Sequence, residues 1–136
     1  MVLAVCREAE VGVDVEAIDR NLDPLRLAAR NFSISERATL EACADENRAT
    51  RFFEVWTLKE AYVKALGVGL THELGAFSVM LDPQPPSIIE HVDGADRIAP
   101  CRCWLVEPMP GYRLGLVVRG DPRAAIDVRI SGPYPR

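Results

Sequence analysis

The stretch WTLKEAYVK, Trp56–Lys64, is the centre of the longest helix that this sequence predicts. Apolar residues recur there at steps of four and three, and this stripe extends the helix from about Glu46 to Leu66. Gly67 follows at a position where a left-handed residue commonly ends a helix. Only Lys59 interrupts the stripe, so its ammonium either emerges at an edge of the core or meets a buried anion.

Two shorter helices are predicted before the long one. Pro24 suits the first turn of a short helix, and Ser33 with Glu36 forms a capping-box pattern that begins a second helix ending near Ala42. Strands are predicted at residues 2–5, 11–16, 77–81, 101–107, 113–118 and 125–130. Because the helices are grouped between two strand-rich blocks, the pattern favours an α+β fold over repeating βαβ units.

The composition indicates one globular domain. Of 136 residues, 49% are apolar and 26% charged, and we expect a single domain over residues 1–130 with a mobile tail at 131–136. The net charge is −4 and the basic residues are scattered, which argues against nucleic acid as the main partner. No apolar run approaches the roughly 20 residues that span a bilayer, and the N-terminus lacks the features of a signal peptide. The four cysteines include no C-x-x-C pair, so we expect reduced thiols and a cytoplasmic protein.

The predicted strand over residues 11–16 has two carboxylates on one face. Its period of two places Gly12, Asp14 and Glu16 on the side opposite the valines. The Cα atoms of Asp14 and Glu16 would be about 6.6–6.8 Å apart, close enough for both side chains to reach one hard cation. The alternative is a half-buried strand whose charged face simply meets solvent.

Glu60 and Lys64 are four residues apart and share a face of the long helix. The simpler interpretation is a surface ion pair worth a few tenths of a kcal/mol. Glu60, however, lies next to the apolar stripe and not opposite it. Trp56 is predicted to be a packing residue between helix and sheet, and His72 and His91 are assigned no chemistry.

Together these two segments resemble the paired motifs of the 4′-phosphopantetheinyl transferase superfamily. Val11–Asp14 matches (Val/Ile)-Gly-(Val/Ile)-Asp, and Trp56–Lys64 matches Trp-(Ser/Thr)-x-Lys-Glu-(Ala/Ser)-x-x-Lys, in the family's order and spacing. The resemblance covers residues 2–81. Glu16 makes the chain similar to the C-terminal half of the surfactin-synthetase-activating type, whose members are pseudo-dimers of two similar halves. The N-terminal half of that type, with its Ser-His nucleotide-binding motif, would precede Met1.

The resemblance implies an antiparallel sheet packed against a long helix and two shorter ones. It also implies transfer of the 4′-phosphopantetheine group of coenzyme A to a serine of an acyl or peptidyl carrier protein, as in the holo-[acyl-carrier-protein] synthase class. The implied site residues are Asp14, Glu16 and Glu60 as ligands of Mg²⁺ or Mn²⁺, Glu60 and Lys64 in catalysis, and Lys59 and Lys64 on coenzyme A. Glu36 either corresponds to a glutamate of the family's central region or serves only as a cap.

The absence of the first half leaves two hypotheses for the chain. The first is an active transferase that needs a second half or self-association. The second is a non-catalytic truncated paralogue, or a module that binds coenzyme A or a carrier protein but lacks the nucleotide-binding half.

Overall fold

The computed structural model describes residues 1–69, 73–121 and 123–132. Three α-helices, one short 3₁₀ helix (Leu74–Ala76) and six strands occur in this part of the chain. The α-helices and strands are β1 (Glu10–Ala17), α1 (Pro24–Asn31), α2 (Ile34–Ala42), α3 (Asp45–Leu66), β2 (Phe77–Met80), β3 (Ser87–Val92), β4 (Ala95–Ile98), β5 (Cys101–Val106) and β6 (Tyr112–Arg119). The strands form two antiparallel sheets, ordered β1-β6-β5 and β2-β3-β4. The predicted α+β class is confirmed.

The helix boundaries follow from local signals in the sequence. Asp23 accepts a hydrogen bond from a backbone N–H in the first turn of α1, where Pro24 is the first residue. In α2 the predicted capping box is present, with Ser33 and Glu36 each accepting from the other's backbone N–H. The helix α3 ends at Gly67, whose φ of 70° is the left-handed conformation that glycine adopts at little cost. All three predicted helices are confirmed.

The strand predictions at the two ends of the chain are wrong. Residues 2–5 and 125–130 form no strand; they lie as irregular segments against the outer face of β1 and β6, where they line a cavity of about 230 Å³ with Val11 and Val13. An apolar segment that covers an apolar sheet face has the composition of a strand without needing a hydrogen-bonded neighbour. Two strands, β3 and β4, were not predicted, although Asp93 and Gly94 between them both have the positive φ of a tight hairpin turn.

Two other sequence predictions fall partly outside the described residues. His72 and residues 133–136 of the expected tail are not described, and residues 131–132 belong to no helix or strand. Among the described helices, α3 is the longest, and neither it nor any other combines the length and apolar character needed to cross a bilayer.

The helix α3 lies directly on the backbone of β1 and β6. A Cβ atom added to Gly12 would be 1.9 Å from the carbonyl oxygen of Ala61 and 2.4 Å from the nitrogen of Ala65. At Gly115 on β6, the same atom would be 3.0 Å from the carbonyl oxygen of Thr57. The helix α3 also supplies Phe52, Leu58 and Tyr62 to the core. The two glycines therefore set the distance between the helix and the first sheet.

A Gly12→Ala substitution should separate α3 from β1. Because the atoms that a methyl group would meet belong to the helix backbone, they cannot rotate away, and we expect the free energy of unfolding to fall by about 2–4 kcal/mol. Urea unfolding followed by circular dichroism measures this loss. Gly132→Ala is the control, since nothing lies within 4 Å of its added Cβ. Equal midpoints for the two variants would contradict the close packing.

Candidate functional site

The inner face of β1 and one face of α3 bring four charged side chains together. The period of two along β1 directs Asp14 and Glu16 toward the helix, on the same side as Gly12. On α3 the four-residue spacing places Glu60 and Lys64 along the facing surface. The charged face of β1 is thus turned toward the helix, and the simpler interpretation of a solvent-facing strand is excluded.

Lys64 is the cation of this cluster. Its Nζ lies 2.8 Å from Oδ1 of Asp14 and 3.2 Å from the carbonyl oxygen of Val13, while half of its side chain remains exposed. The ion pair therefore joins α3 to β1 and does not follow the surface of the helix. The charge of Lys64 also lowers the pKa of Glu60, which precedes it by one turn.

Glu16 and Glu60 resist ionisation because each is partly buried and lies near the charge of Asp14. Burial raises the pKa of Glu16, the charge of Asp14 and a hydrogen bond with it raise that pKa further, and a hydrogen bond from Trp56 lowers it. Burial also raises the pKa of Glu60, with a further increase from Asp14 and an opposing effect of Lys64. The site therefore concentrates negative charge that one lysine only partly offsets.

The oxygen atoms of this cluster suit a hard divalent cation. Asp14 is only 8% exposed, and its Oδ2 is buried without a hydrogen-bond partner in the described part of the chain. Carboxylate oxygens are the ligands that Mg²⁺ prefers. Within residues 1–69, 73–121 and 123–132, however, no group of three Asp, Glu, His or Cys side chains has the arrangement of a complete metal site. The donor chemistry fits a cation, while Lys64 holds Asp14 in the arrangement seen.

Lys59 lies away from the acidic cluster, in the core. It is 0% exposed; its Nζ is 2.8 Å from Oε2 of Glu36 and donates to the carbonyl oxygen of Phe77 at 2.6 Å. Burial lowers the pKa of Lys59, and the charge of Glu36 opposes that effect. Of the two alternatives for Lys59, the buried anion is confirmed. Glu36 serves both as this anion and as part of the capping box, and its Oε1 also accepts from the N–H of Val79 at 2.6 Å.

A cleft of about 610 Å³ opens beside Glu60. Trp56 and Glu60 line it from α3, Arg30 and Asn31 from the end of α1, and Glu73 from the segment before β2. Arg30, Asn31 and Glu73 were not predicted, because no motif or periodicity in the sequence relates them to Glu60. The packing of α1 on α3 places Arg30 and Asn31 there, and the segment before β2 brings Glu73.

His91 contributes to the second sheet and not to this cleft. Its Nε2 is 2.7 Å from Oγ of Ser78 and its Nδ1 is 2.6 Å from Oδ1 of Asp96, so it connects β2, β3 and β4. Ser78 is only 2% exposed, and Ser33 also contacts its hydroxyl. The hydroxyl of Ser78 is therefore closed to a substrate, and these side chains hold the strands together.

Comparison with known proteins gives consistent results. The family model described as the 4′-phosphopantetheinyl transferase superfamily matches residues 10–117. The chain is 31% identical over 129 residues to 4′-phosphopantetheinyl transferase psf-1 of Bacillus pumilus, covering 95% of this chain and 53% of that protein. It is 31% identical over 106 residues to 4′-phosphopantetheinyl transferase Sfp of Bacillus subtilis strain 168, covering 78% and 45%. The chain thus spans about half the length of the curated relatives that it matches.

Solved structures share the fold. Holo-[acyl-carrier-protein] synthase of Thermotoga maritima superposes with a TM-score of 0.64 at 24% identity, over 82% of this chain and 63% of that one. A holo-(acyl-carrier-protein) synthase of Bacillus anthracis str. Ames, solved in complex with CoA (3′,5′-ADP), gives 0.60 at 20% identity, over 80% and 93%. The predicted arrangement of an antiparallel sheet against one long and two shorter helices is confirmed.

The raised pKa of Glu60 makes the stability of the fold depend on pH. The folded protein holds a proton on Glu60 more tightly than the unfolded chain, whose pKa is near 4.5, so stability is lost as pH rises through the raised pKa. Glu60→Gln removes this loss. We expect its melting temperature in metal-free buffer to exceed that of the wild type, by a margin that grows from about pH 5 to about pH 8. Exposed Glu41→Gln is the control. A margin that shrinks with rising pH would contradict the burial of charge at Glu60.

Proposed function

Because the chain belongs to the 4′-phosphopantetheinyl transferase superfamily, we propose that it supplies the metal-binding half of an enzyme that transfers 4′-phosphopantetheine from coenzyme A to a serine of a carrier protein. The observation that carries this proposal is the convergence of Asp14, Glu16, Glu60 and Lys64 across the contact between β1 and α3. These residues come from two distant motifs, and a purely structural strand and helix would not need to bury like charges against each other.

In this proposal Asp14, Glu16 and Glu60 hold Mg²⁺ or Mn²⁺. The Oδ2 of Asp14, which has no hydrogen-bond partner among the described residues, supports this proposal, as do the raised pKa values of Glu16 and Glu60. A divalent cation would relieve both features. When bound, such an ion would offset the charge that develops on the pyrophosphate of coenzyme A.

Glu60 is also the proposed general base for the attacking serine hydroxyl. A carboxylate of ordinary pKa is a weak base, and a bound cation would lower the pKa of Glu60 further. The raised pKa of Glu60 therefore favours proton abstraction only while its carboxylate is not bound to the ion, and its two proposed roles compete. Glu60 lines the open cleft, so a carrier serine could approach it from solvent. The proton would pass from the serine oxygen to the carboxylate as that oxygen bonds to phosphorus and adenosine 3′,5′-bisphosphate leaves.

Lys64 is the proposed contact for a phosphate of coenzyme A. Half of its side chain is exposed, so its ammonium can turn from Asp14 toward a ligand, and a compact ammonium suits a phosphate as a point charge. The binding of coenzyme A by Lys59 stays a prediction. Its ammonium is 0% exposed and engaged by Glu36, so the present proposal assigns the phosphate contact to Lys64 alone.

Transfer should depend on Glu60 and Lys64 in different ways. After incubation with coenzyme A, Mg²⁺ and a panel of apo carrier proteins, we expect the mass of at least one carrier to rise by one phosphopantetheine group. Glu60→Gln should slow the transfer by about 10²–10⁴-fold, as loss of a general base does. Lys64→Ala should mainly weaken coenzyme A binding, which calorimetry measures separately. Exposed Glu41→Gln should behave as the wild type does.

No mass gain in any carrier, either alone or with the N-terminal half of a relative supplied, would contradict the transferase proposal. Tight, metal-dependent binding of coenzyme A without transfer would instead favour the alternative of a binding module.

We also propose that the chain works with a second half, and that a second copy can supply it. The chain matches only about half of its relatives' length, and Met1, Leu3 and Val5 in the segment that covers the outer face of β1 are highly exposed. Light scattering coupled to size exclusion should give a mass above that of the monomer as concentration rises. Leu3→Glu should shift the mass toward the monomer. A strict monomer at the highest concentration would contradict self-association.

A further inference from the structure

Arg113 on β6 lies directly opposite Glu16 of β1. The two residues are partners in the antiparallel register, so their side chains leave the sheet on the same face, toward α3. The Cβ atoms of such partners are about 4.5–5.5 Å apart, and opposite charges at this distance attract each other across the strands. By its position alone, Arg113 should therefore bind the carboxylate that the proposed cation needs.

The guanidinium of Arg113 is turned elsewhere. Its Nε donates to Oε1 of Glu54 on α3 at 3.3 Å, and its Nη1 lies 3.4 Å from Oε2 of Glu107, which follows β5. The side chain of Arg113 is only 15% exposed and that of Glu54 21%, so their contact is largely shielded from solvent. In the part of the chain that the structure describes, no ion pair joins Arg113 to Glu16.

Glu54 is itself held by a second arginine. Arg51 lies three residues earlier on α3; its Nη1 is 3.6 Å from Oε2 of Glu54, and its Nη2 is 3.2 Å from Oδ2 of Asp82 after β2. The Glu54 carboxylate thus directs one oxygen to each arginine. The other acceptor, Glu107, has a side chain that is 51% exposed, and exposed ion pairs contribute little. Glu54 is therefore the main anchor of Arg113.

We propose that Glu54 is a positioning residue for the divalent cation: by holding Arg113, it keeps a guanidinium off Glu16 and leaves that carboxylate free to bind the ion. The inference rests on the proposed metal-binding function. A guanidinium and a cation compete for the same carboxylate oxygens, and Arg113 could reach its cross-strand partner by rotating its side chain alone. Glu54 belongs to neither sequence motif and acts only through Arg113.

Glu54→Gln tests this role, because the amide keeps the size of the side chain and loses the charge that attracts Arg113. Mn²⁺ alone is titrated into the full chain by calorimetry, and circular dichroism establishes that each variant is folded. We expect Mn²⁺ to bind about 10-fold more weakly than to the wild type, since Arg113 would then pair with Glu16. Asp82→Asn is the matched control. It removes the carboxylate at the far end of the same ion-pair network, and its Mn²⁺ affinity should match the wild type.

Removal of Arg113 distinguishes this role from a structural one. Arg113→Met keeps an unbranched side chain without the charge. In the Glu54→Gln background it should restore the Mn²⁺ affinity to within about twofold of the wild type, because no guanidinium is left to occupy Glu16. A double variant that binds as weakly as Glu54→Gln, or wild-type affinity in Glu54→Gln itself, would overturn the inference while the proposed metal site stands.

Thermal unfolding in metal-free buffer follows the Arg113 contact without the cation. Glu16→Gln should lower the melting temperature more in the Glu54→Gln background than in the wild type, because only there does it remove an ion pair with Arg113. With Arg113→Met added, this extra loss should disappear. Equal effects of Glu16→Gln in all three backgrounds would overturn the inference. A wild-type chain that binds no Mn²⁺ would instead contradict the proposed metal site, and the role of Glu54 with it.

Discussion

The contact between the backbone of α3 and Gly12 of β1 is the constraint on which both the fold and the candidate site depend. At Gly12 no side chain separates strand from helix, and the backbone of Ala61 occupies the space that a Cβ would fill. Side chains further along the same face of β1 must then reach around the helix. Asp14 consequently meets Lys64. A larger residue at position 12 would remove the site by moving the helix, even with every charged residue retained.

Turning the polar face of a strand toward a helix has an energetic cost, and the structure shows what offsets it. Burial and mutual repulsion raise the pKa values of Glu16 and Glu60, which is the signature of charge held where it is unfavourable. The buried pair of Lys59 and Glu36 ties the opposite side of α3 to α2 and to the N–H of Val79 on β2. Such a pair adds little net stability compared with an apolar core, but it strongly disfavours any arrangement that separates its partners. It thereby holds α3 in the orientation that keeps the acidic cluster together.

Local signals made much of this structure predictable. The period of α3, the left-handed Gly67 and the capping box at Ser33 each act within a few residues, and all three helices follow from them. The covering segments at residues 2–5 and 125–130 were mistaken for strands, because apolar composition does not distinguish a strand from a segment lying on a sheet face. The side chains of the candidate site lie in two recognisable motifs. The partners of these side chains were not predictable. Glu36 is distant in sequence from Lys59, and Lys64 pairs with Asp14 only because Gly12 lets the helix approach.

Under the proposed function, the charge of the cluster imposes an order on binding. Three carboxylates face one ammonium, so when all are ionised the cluster of Asp14, Glu16, Glu60 and Lys64 carries an excess of two negative charges. The pyrophosphate of coenzyme A is itself anionic and would be repelled by this excess. A divalent cation would cancel it and would compete with Lys64 for Asp14. Lys64 would then be free to meet a phosphate. Cation binding would therefore prepare the site for the substrate twice, by removing repulsion and by releasing a lysine, and this coupling follows from Lys64 being the ion-pair partner of Asp14.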